Sequence, residues 1–322
     1  MEVRTLGASG LISSAIGLGC LGFTGGYGAV DEVEAVATIW QALDTGVTLL
    51  DVADLYGGGS VERLVGQALQ GRRAEAVIAT RGGATFTPQG RPTGLDCRPQ
   101  RLHEACDASL RRLGVDQIDL YYLARVDPAV PVEESVGALS ELVAAGKVRH
   151  VGVCEVTPEQ LRRAHAVHPL AVVAAEYSLI ERSVEAELLP TAREMGVGLV
   201  ACSPLARGLL TGRLSTTEQL GPGDYRHNHP RFAPENLDHN YRLIRAAEQL
   251  AADRQVSLSR LALAWVLAQG KDIVAIPGTR TRTHLEMNVA ATQIELCADE
   301  SAALAAAVPA GEVAGAKEPR RR

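Results

Sequence analysis

Three side chains near the start of the sequence have the types and spacing to move a proton. Asp51 closes the apolar run VTLLD, Tyr56 follows five residues later, and Arg81 comes directly after the next apolar run, AVIAT. If both runs are strands of one sheet, their ends lie side by side and the three side chains share one opening. A cation beside a phenol favours the phenolate and lowers its pKa, while a carboxylate orients a guanidinium through paired hydrogen bonds. Tyr56 would then be a general acid, Arg81 its polariser and Asp51 the orienter. Glu155, after VRHVGV and Cys154, adds a second carboxylate at another strand end. On spacing alone the competing reading is a surface ion pair beside a half-buried tyrosine.

Such groups need a frame that gathers strand ends, and the sequence alternates β-rich runs with helical patterns from Ala15 to Ala291. Eight strands are predicted. They are AIGLG from Ala15, VTLLD ending at Asp51, AVIAT at Thr80, IDLYYL at Leu123, VRHVGV at Val153, LAVVAAEY at Tyr177, VGLVAC at Cys202 and DIVAIPG at Gly278. Helices are predicted over 32–43, 62–69, 101–113, 132–144, 158–167 and 186–195. Another is marked by Leu258, Leu261, Ala262, Trp265 and Val266, which form one apolar stripe. Near-continuous apolar strands imply burial on both faces, as in a parallel sheet covered by helices. Eight such units predict a closed (β/α)8 TIM barrel, one domain over 1–314, with its reactive groups where strands run into loops.

Gly17 to Gly22, reading GLGCLG, matches the GxGxxG pattern of a Rossmann fold. No helical pattern follows at once and no acidic residue closes a βαβ unit, which sets that fold aside. Val3 to Ile16, broken by Gly7 and Gly10, reads as an N-terminal β-hairpin closing the barrel floor. Leu205 to Asn240 reads as a long polar lid loop after strand 7, with His227 and His229 facing solvent, and 315–322 as a short disordered charged tail.

Composition narrows the partners. Of 322 residues, 46% are hydrophobic and 22% charged, and 32 basic against 38 acidic side chains give a net charge of −6. A phosphate backbone or an anionic membrane selects clustered Lys and Arg, so neither nucleic acid nor membrane is expected. No stretch reaches the roughly 18 uninterrupted apolar residues of a spanning helix. The opening MEVRTLGASG lacks a signal-peptide pattern, so a cytoplasmic location is expected. Six cysteines without a CxxC pair read as reduced thiols. His165 and His168 lack a carboxylate or cysteine at ligand spacing, and no metal site is expected.

The longer wording resembles the aldo-keto reductase superfamily over essentially the whole chain. It is carried by LGASGLISSAIGLGCLGF, LLDVADLYGGGSVERLVGQAL, DLYYLARVDP, YSLIERS, SPLARGLLTG, PRFAPENLDHN and IPGTRTRTHLEMN, in family order. The resemblance implies a barrel binding NADPH across its carboxyl-terminal mouth and an Asp, Tyr, Lys, His tetrad in which the tyrosine protonates a carbonyl as hydride arrives. Asp51 and Tyr56 match. The family lysine is Arg81 and the histidine is Ala124. Cofactor contacts are implied at Cys20 and Leu21, at Ser203, Pro204, Leu205, Arg207 and Gly208, and at Gly278, Thr279, Arg280 and Asn288. Arg280 suits a ribose 2′-phosphate.

Departures cluster around the nicotinamide. The usual Ser-Asn pair that holds the carboxamide is Cys154-Glu155, the glutamine is Ala174, and the ring-stacking tyrosine is Cys202. Loss of a carbonyl-polarising imidazole removes roughly 3 kcal/mol of transition-state stabilisation, or about 10²–10³ in rate. Small residues also widen the site. The expected function is an NADP(H)-linked oxidoreductase acting on a carbonyl or conjugated enone of a bulky small molecule. Two alternatives stay open: a non-redox dehydratase, isomerase or cyclase using Tyr56, Glu155 and Arg81, and a catalytically silent regulatory barrel. The oligomeric state is left open.

Overall fold

A computed structural model describes residues 1–87 and 90–317. Strands β1 (Val3–Leu6) and β2 (Leu11–Ser14) pair antiparallel, Val3 opposite Ser14 and Leu6 opposite Leu11. The first βα units are β3 (Leu18–Gly19), α1 (Glu32–Asp44), β4 (Leu49–Asp51), α2 (Ser60–Ala68) and β5 (Val77–Gly82). A second hairpin, β6 (Ala84–Phe86) and β7 (Pro92–Leu95), precedes α3 (Pro99–Leu113). Then come β8 (Ile118–Leu123), α4 (Val132–Ala144), β9 (Val148–Cys154), α5 (Pro158–Val167), β10 (Val172–Glu176), α6 (Leu188–Glu194) and β11 (Gly198–Cys202). The chain finishes with α7 (Pro234–Asp253), α8 (Leu258–Ala268), β12 (Ile273–Ala275), α9 (Arg282–Val289) and α10 (Ala298–Ala307).

The parallel sheet runs β3-β4-β5-β8-β9-β10-β11-β12. It closes on itself where Gly17 N donates to Ala275 O at 2.8 Å and Ala275 N donates to Ala15 O at 3.1 Å. This is the (β/α)8 barrel expected from eight alternating units. One buried cluster fills the interior with Leu49, Ala79, Leu120, Tyr122, Val200 and Val274, joined from the hairpin by Leu6 and Leu11. A second, larger cluster lies between strands and helices. The two clusters follow from the alternation of side chains along each strand, inward then outward.

Several local readings are corrected. The helix α8 is buried nearly all round rather than along one stripe, because α7 and α10 pack outside it and Ser301 O accepts from Trp265 Nε1 at 3.1 Å. The predicted lid ends early: PENLDHN opens α7, with Pro234 at the first helical position, where its missing N–H costs nothing. The pair β6-β7 carries too few apolar residues, and too many Pro and Gly, to read as a hairpin. His229 is buried, not solvent-facing. Of the expected tail, Gly315–Lys317 make the contacts described below, and 318–322 lie outside the described residues. Among the described residues all six cysteines are free thiols, and no helix is long and apolar enough to cross a membrane.

Candidate active site

The carboxyl ends of the barrel strands open into a cavity of about 760 Å³, within the range of roughly 300–1,000 Å³ typical of small-molecule sites. Asp51 ends β4 and Arg81 lies one residue before the end of the neighbouring β5, and the two side chains form an ion pair. Arg81 is held three more ways: Nε donates to Val52 O at 3.3 Å, Nη1 approaches Cys154 Sγ at 3.8 Å, and the guanidinium lies over the Tyr122 ring at 5.1 Å. Burial pushes the Asp51 carboxyl up to about 6 and the charge of Arg81 opposes that rise, so the pair is ionised at neutral pH. Asp51 Oδ2 is buried with no hydrogen-bond partner among the described residues.

Tyr56 lines the same cavity, at the start of a turn through Gly57, Gly58 and Gly59 with φ of 60°, 62° and 86°. Three consecutive left-handed residues admit only glycine without strain. The turn reverses the chain into α2 and leaves Tyr56 at the rim of β4. Its phenol departs from the sequence expectation: Arg81 does lower the pKa, but burial outweighs it, and the group lies above the usual phenol value. Tyr56 is therefore protonated at neutral pH. Cys154 and Cys202 also line the cavity, with β10 between their strands, and burial raises both thiols, Cys154 to about 11. They are small packing groups rather than thiolates.

Glu155 follows β9 in the left-handed region, φ 51°, a conformation that costs a non-glycine residue about 1–3 kcal/mol. Ser203, Ala206 and Arg207 after β11 share it, with φ of 48°, 50° and 56°. This concentration of backbone strain falls on the two loops that bound the cavity. Ser203, Pro204, Leu205, Arg207 and Gly208 all line it, as do Leu21, Gly278, Thr279 and Arg280. Cys20 does not; its side chain is buried in the outer core. Asn288 is buried in α9 and also stands outside the lining.

Ion pairs and loop contacts hold several lining residues in place. Arg207 Nη1 donates to both oxygens of Glu176 at 2.9 Å, and Arg231 Nη1 donates to Glu176 Oε1 at 2.9 Å. Arg226 is paired with Asp224 and donates to Arg207 O at 3.0 Å. Tyr225 N donates to Gly26 O at 2.9 Å, the hydroxyls of Tyr27 and Tyr225 are 2.7 Å apart, and Arg226 stacks over the Tyr27 ring. The loop after β3 is thus clasped to the loop after β11. The segments GGYG and GDYRHNHPRF showed only loop character; the signal was their aromatic and arginine content. The cavity is lined by five arginines (Arg81, Arg125, Arg207, Arg226, Arg280) and three acids (Asp51, Glu155, Glu176), in a chain of net charge −6.

The barrel carries a buried Asp–Arg pair beside a tyrosine at its carboxyl mouth, and comparison places the chain in a family. The Aldo/keto reductase family matches residues 15–309. A probable aldo-keto reductase 1 of Glycine max is 41% identical over 315 residues, 97% of this chain and 90% of that protein. The glycerol dehydrogenase of Gluconobacter oxydans superposes with a TM-score of 0.86 at 31% identity, covering 95% of this chain and 94% of that one. An aldo/keto reductase from Klebsiella pneumoniae in complex with NADP and acetate superposes with a TM-score of 0.72 at 27% identity, covering 99% and 97%. The chain belongs to the aldo/keto reductase family, whose members are oxidoreductases that use nicotinamide cofactors.

Proposed function

We propose that this protein is an NADP(H)-linked oxidoreductase acting on a carbonyl, or a conjugated enone, of a bulky small molecule. The observation that carries the reading is the Asp51–Arg81 pair beside a protonated Tyr56, in a cavity whose lining reverses the sign of the chain's net charge. An excess of guanidinium groups suits a dinucleotide with its pyrophosphate and 2′-phosphate. Residues 203–208 and 278–280 would hold the phosphates, and Arg280 the 2′-phosphate, at the loop opening α9. The nicotinamide supplies hydride when bound. Tyr56 Oη gives its proton to the substrate oxygen as negative charge develops there. Arg81 stabilises the phenolate left behind, and Asp51 with Val52 O keeps that guanidinium from swinging away. Ala124, Ala174 and Cys202 leave width for a bulky substrate.

The non-redox alternative asked Glu155 to move protons. Both its oxygens have donors, Glu176 N at 2.6 Å and Lys317 Nζ at 2.7 Å, which suits a fixed carboxylate better than a base. The test is a fluorescence titration with NADPH followed by a carbonyl and enone panel. Saturable binding with consumption of NADPH supports the reading. Substrate conversion with no change in NADPH would replace it with the non-redox one, and binding of neither would replace it with the silent barrel.

A further inference from the structure

The carboxylate of Glu155 is gripped from opposite ends of the sequence. Oε1 accepts from the Glu176 backbone, within the barrel, while Oε2 accepts from Lys317, 162 residues away. Arg125 Nη1 is further off, at 3.8 Å. Lys317 reaches this point through a built path. Asn240 brackets Ala314, donating to its carbonyl at 3.0 Å and accepting from its N–H at 2.8 Å. Gly315, with φ +86°, lies so close to Pro230 that a Cβ would come within 2.6 Å of the Pro230 carbonyl oxygen. His229, 3% exposed, accepts from Arg231 N–H through Nδ1 at 3.2 Å, so its Nε2 donates to Lys317 O at 3.1 Å. Burial keeps that imidazole neutral, with its pKa pushed down to about 4. These anchors lie on α7 and on the segment before it, whose Arg207 and Arg226 line the cavity.

We propose that Lys317 is a positioning residue for Glu155, and that residues 314–317 complete the active site. This deepens the nucleotide-binding reading and rests on it. Glu155 stands in a strained backbone position at a cavity wall, where without the ammonium its charge would be offset only by Arg125 at 3.8 Å, repelling an anionic dinucleotide, and its carboxylate would be held at Oε1 alone. The ammonium removes both effects: it neutralises the charge and fixes the second oxygen.

Two measurements on the full chain test this. In NADPH titrations at low salt, Lys317→Met is expected to weaken binding roughly tenfold, the size of one added negative charge acting across about 12 Å at an effective dielectric of about 20. The loss shrinks as salt rises, Lys317→Arg retains native affinity, and the double variant Lys317→Met/Glu155→Gln recovers to within about twofold because no charge is left to balance. The second measurement needs no nucleotide: a double-mutant cycle in urea unfolding with Lys317→Met, Glu155→Gln and both, where the pair is expected to couple by at least about threefold in the folding constant. Coupling with unchanged NADPH affinity would make the contact structural only and overturn the proposal, as would absent coupling or failure of the double variant to recover. If the native chain does not bind NADPH, the nucleotide reading falls, and the unfolding cycle alone decides whether Lys317 sets Glu155.

Discussion

The two ends of the cavity follow different rules. At the Tyr56 end stand Arg81, Ala124, Cys154, Glu155, Ala174 and Cys202, where the family resemblance implies other side chains, and buried charge is balanced by close pairing. At the other end Ser203, Pro204, Leu205, Arg207 and Gly208, with Gly278, Thr279 and Arg280, read like the family's segments and line the cavity. Nucleotide binding of the proposed kind depends on backbone path and arginine placement, which tolerate little change. Chemistry depends on a few side-chain tips that the same barrel holds in altered form. Under the proposed function, the contrast teaches that one scaffold would keep a nucleotide cradle while the reacting end is rebuilt.

Four measurements break or sharpen this contrast. The largest effect belongs to Tyr56→Phe, which should lower kcat/KM for a carbonyl substrate by about 10³ while leaving the NADPH titration unchanged; equal loss of both would merge the two ends into one. Next, Arg280→Ala should weaken NADPH by about tenfold or more and NADH hardly at all. Equal weakening would remove the 2′-phosphate from that arginine. Ala124→His, which returns an imidazole to a position lining the cavity, should raise kcat/KM by about tenfold, checked on the same substrate.

The fourth measurement reads stability instead of activity, through the charge buried behind Tyr56. Burial, with Glu62 adding repulsion, raises the Asp54 carboxyl to about 7, and Oδ1 has no partner among the described residues. An acid whose folded pKa exceeds its unfolded value near 3.9 binds more protons in the native state. It therefore costs stability as pH rises from about 4 through 7. Asp54→Asn should raise stability by on the order of 4 kcal/mol at pH 8 and by only about 1.5 kcal/mol at pH 5, read by urea unfolding at both.

Much of this was legible because barrel strands advertise themselves. VTLLD and IDLYYL are apolar enough for burial on both faces, and their ends necessarily converge, so Asp51, Tyr56 and Arg81 could be placed together before any coordinates. The net acidity of Tyr56 was not legible, since burial depends on what surrounds the phenol and a neighbouring cation is only one contribution. Nor were Glu176, Arg231 and Lys317. Their pairing joins segments far apart in sequence through loops without periodicity, and GAKEPRRR reads as a solvated tail unless one sees Asn240 and His229 waiting for its backbone. Cys20 and Asn288, which the family match implies as cofactor contacts, stand outside the cavity lining: a family match places a residue near a site without saying which way it faces.

The triple-glycine turn behind Tyr56 has a practical corollary for anyone reshaping substrate scope. Each side chain added at Gly57, Gly58 or Gly59 carries about 1–2 kcal/mol of left-handed strain, so a library randomised there would return little besides glycine. Thr93 and Leu95 on β7 border the same cavity from a short two-stranded hairpin. Diversity aimed there can recontour the substrate wall while the proton donor keeps its place.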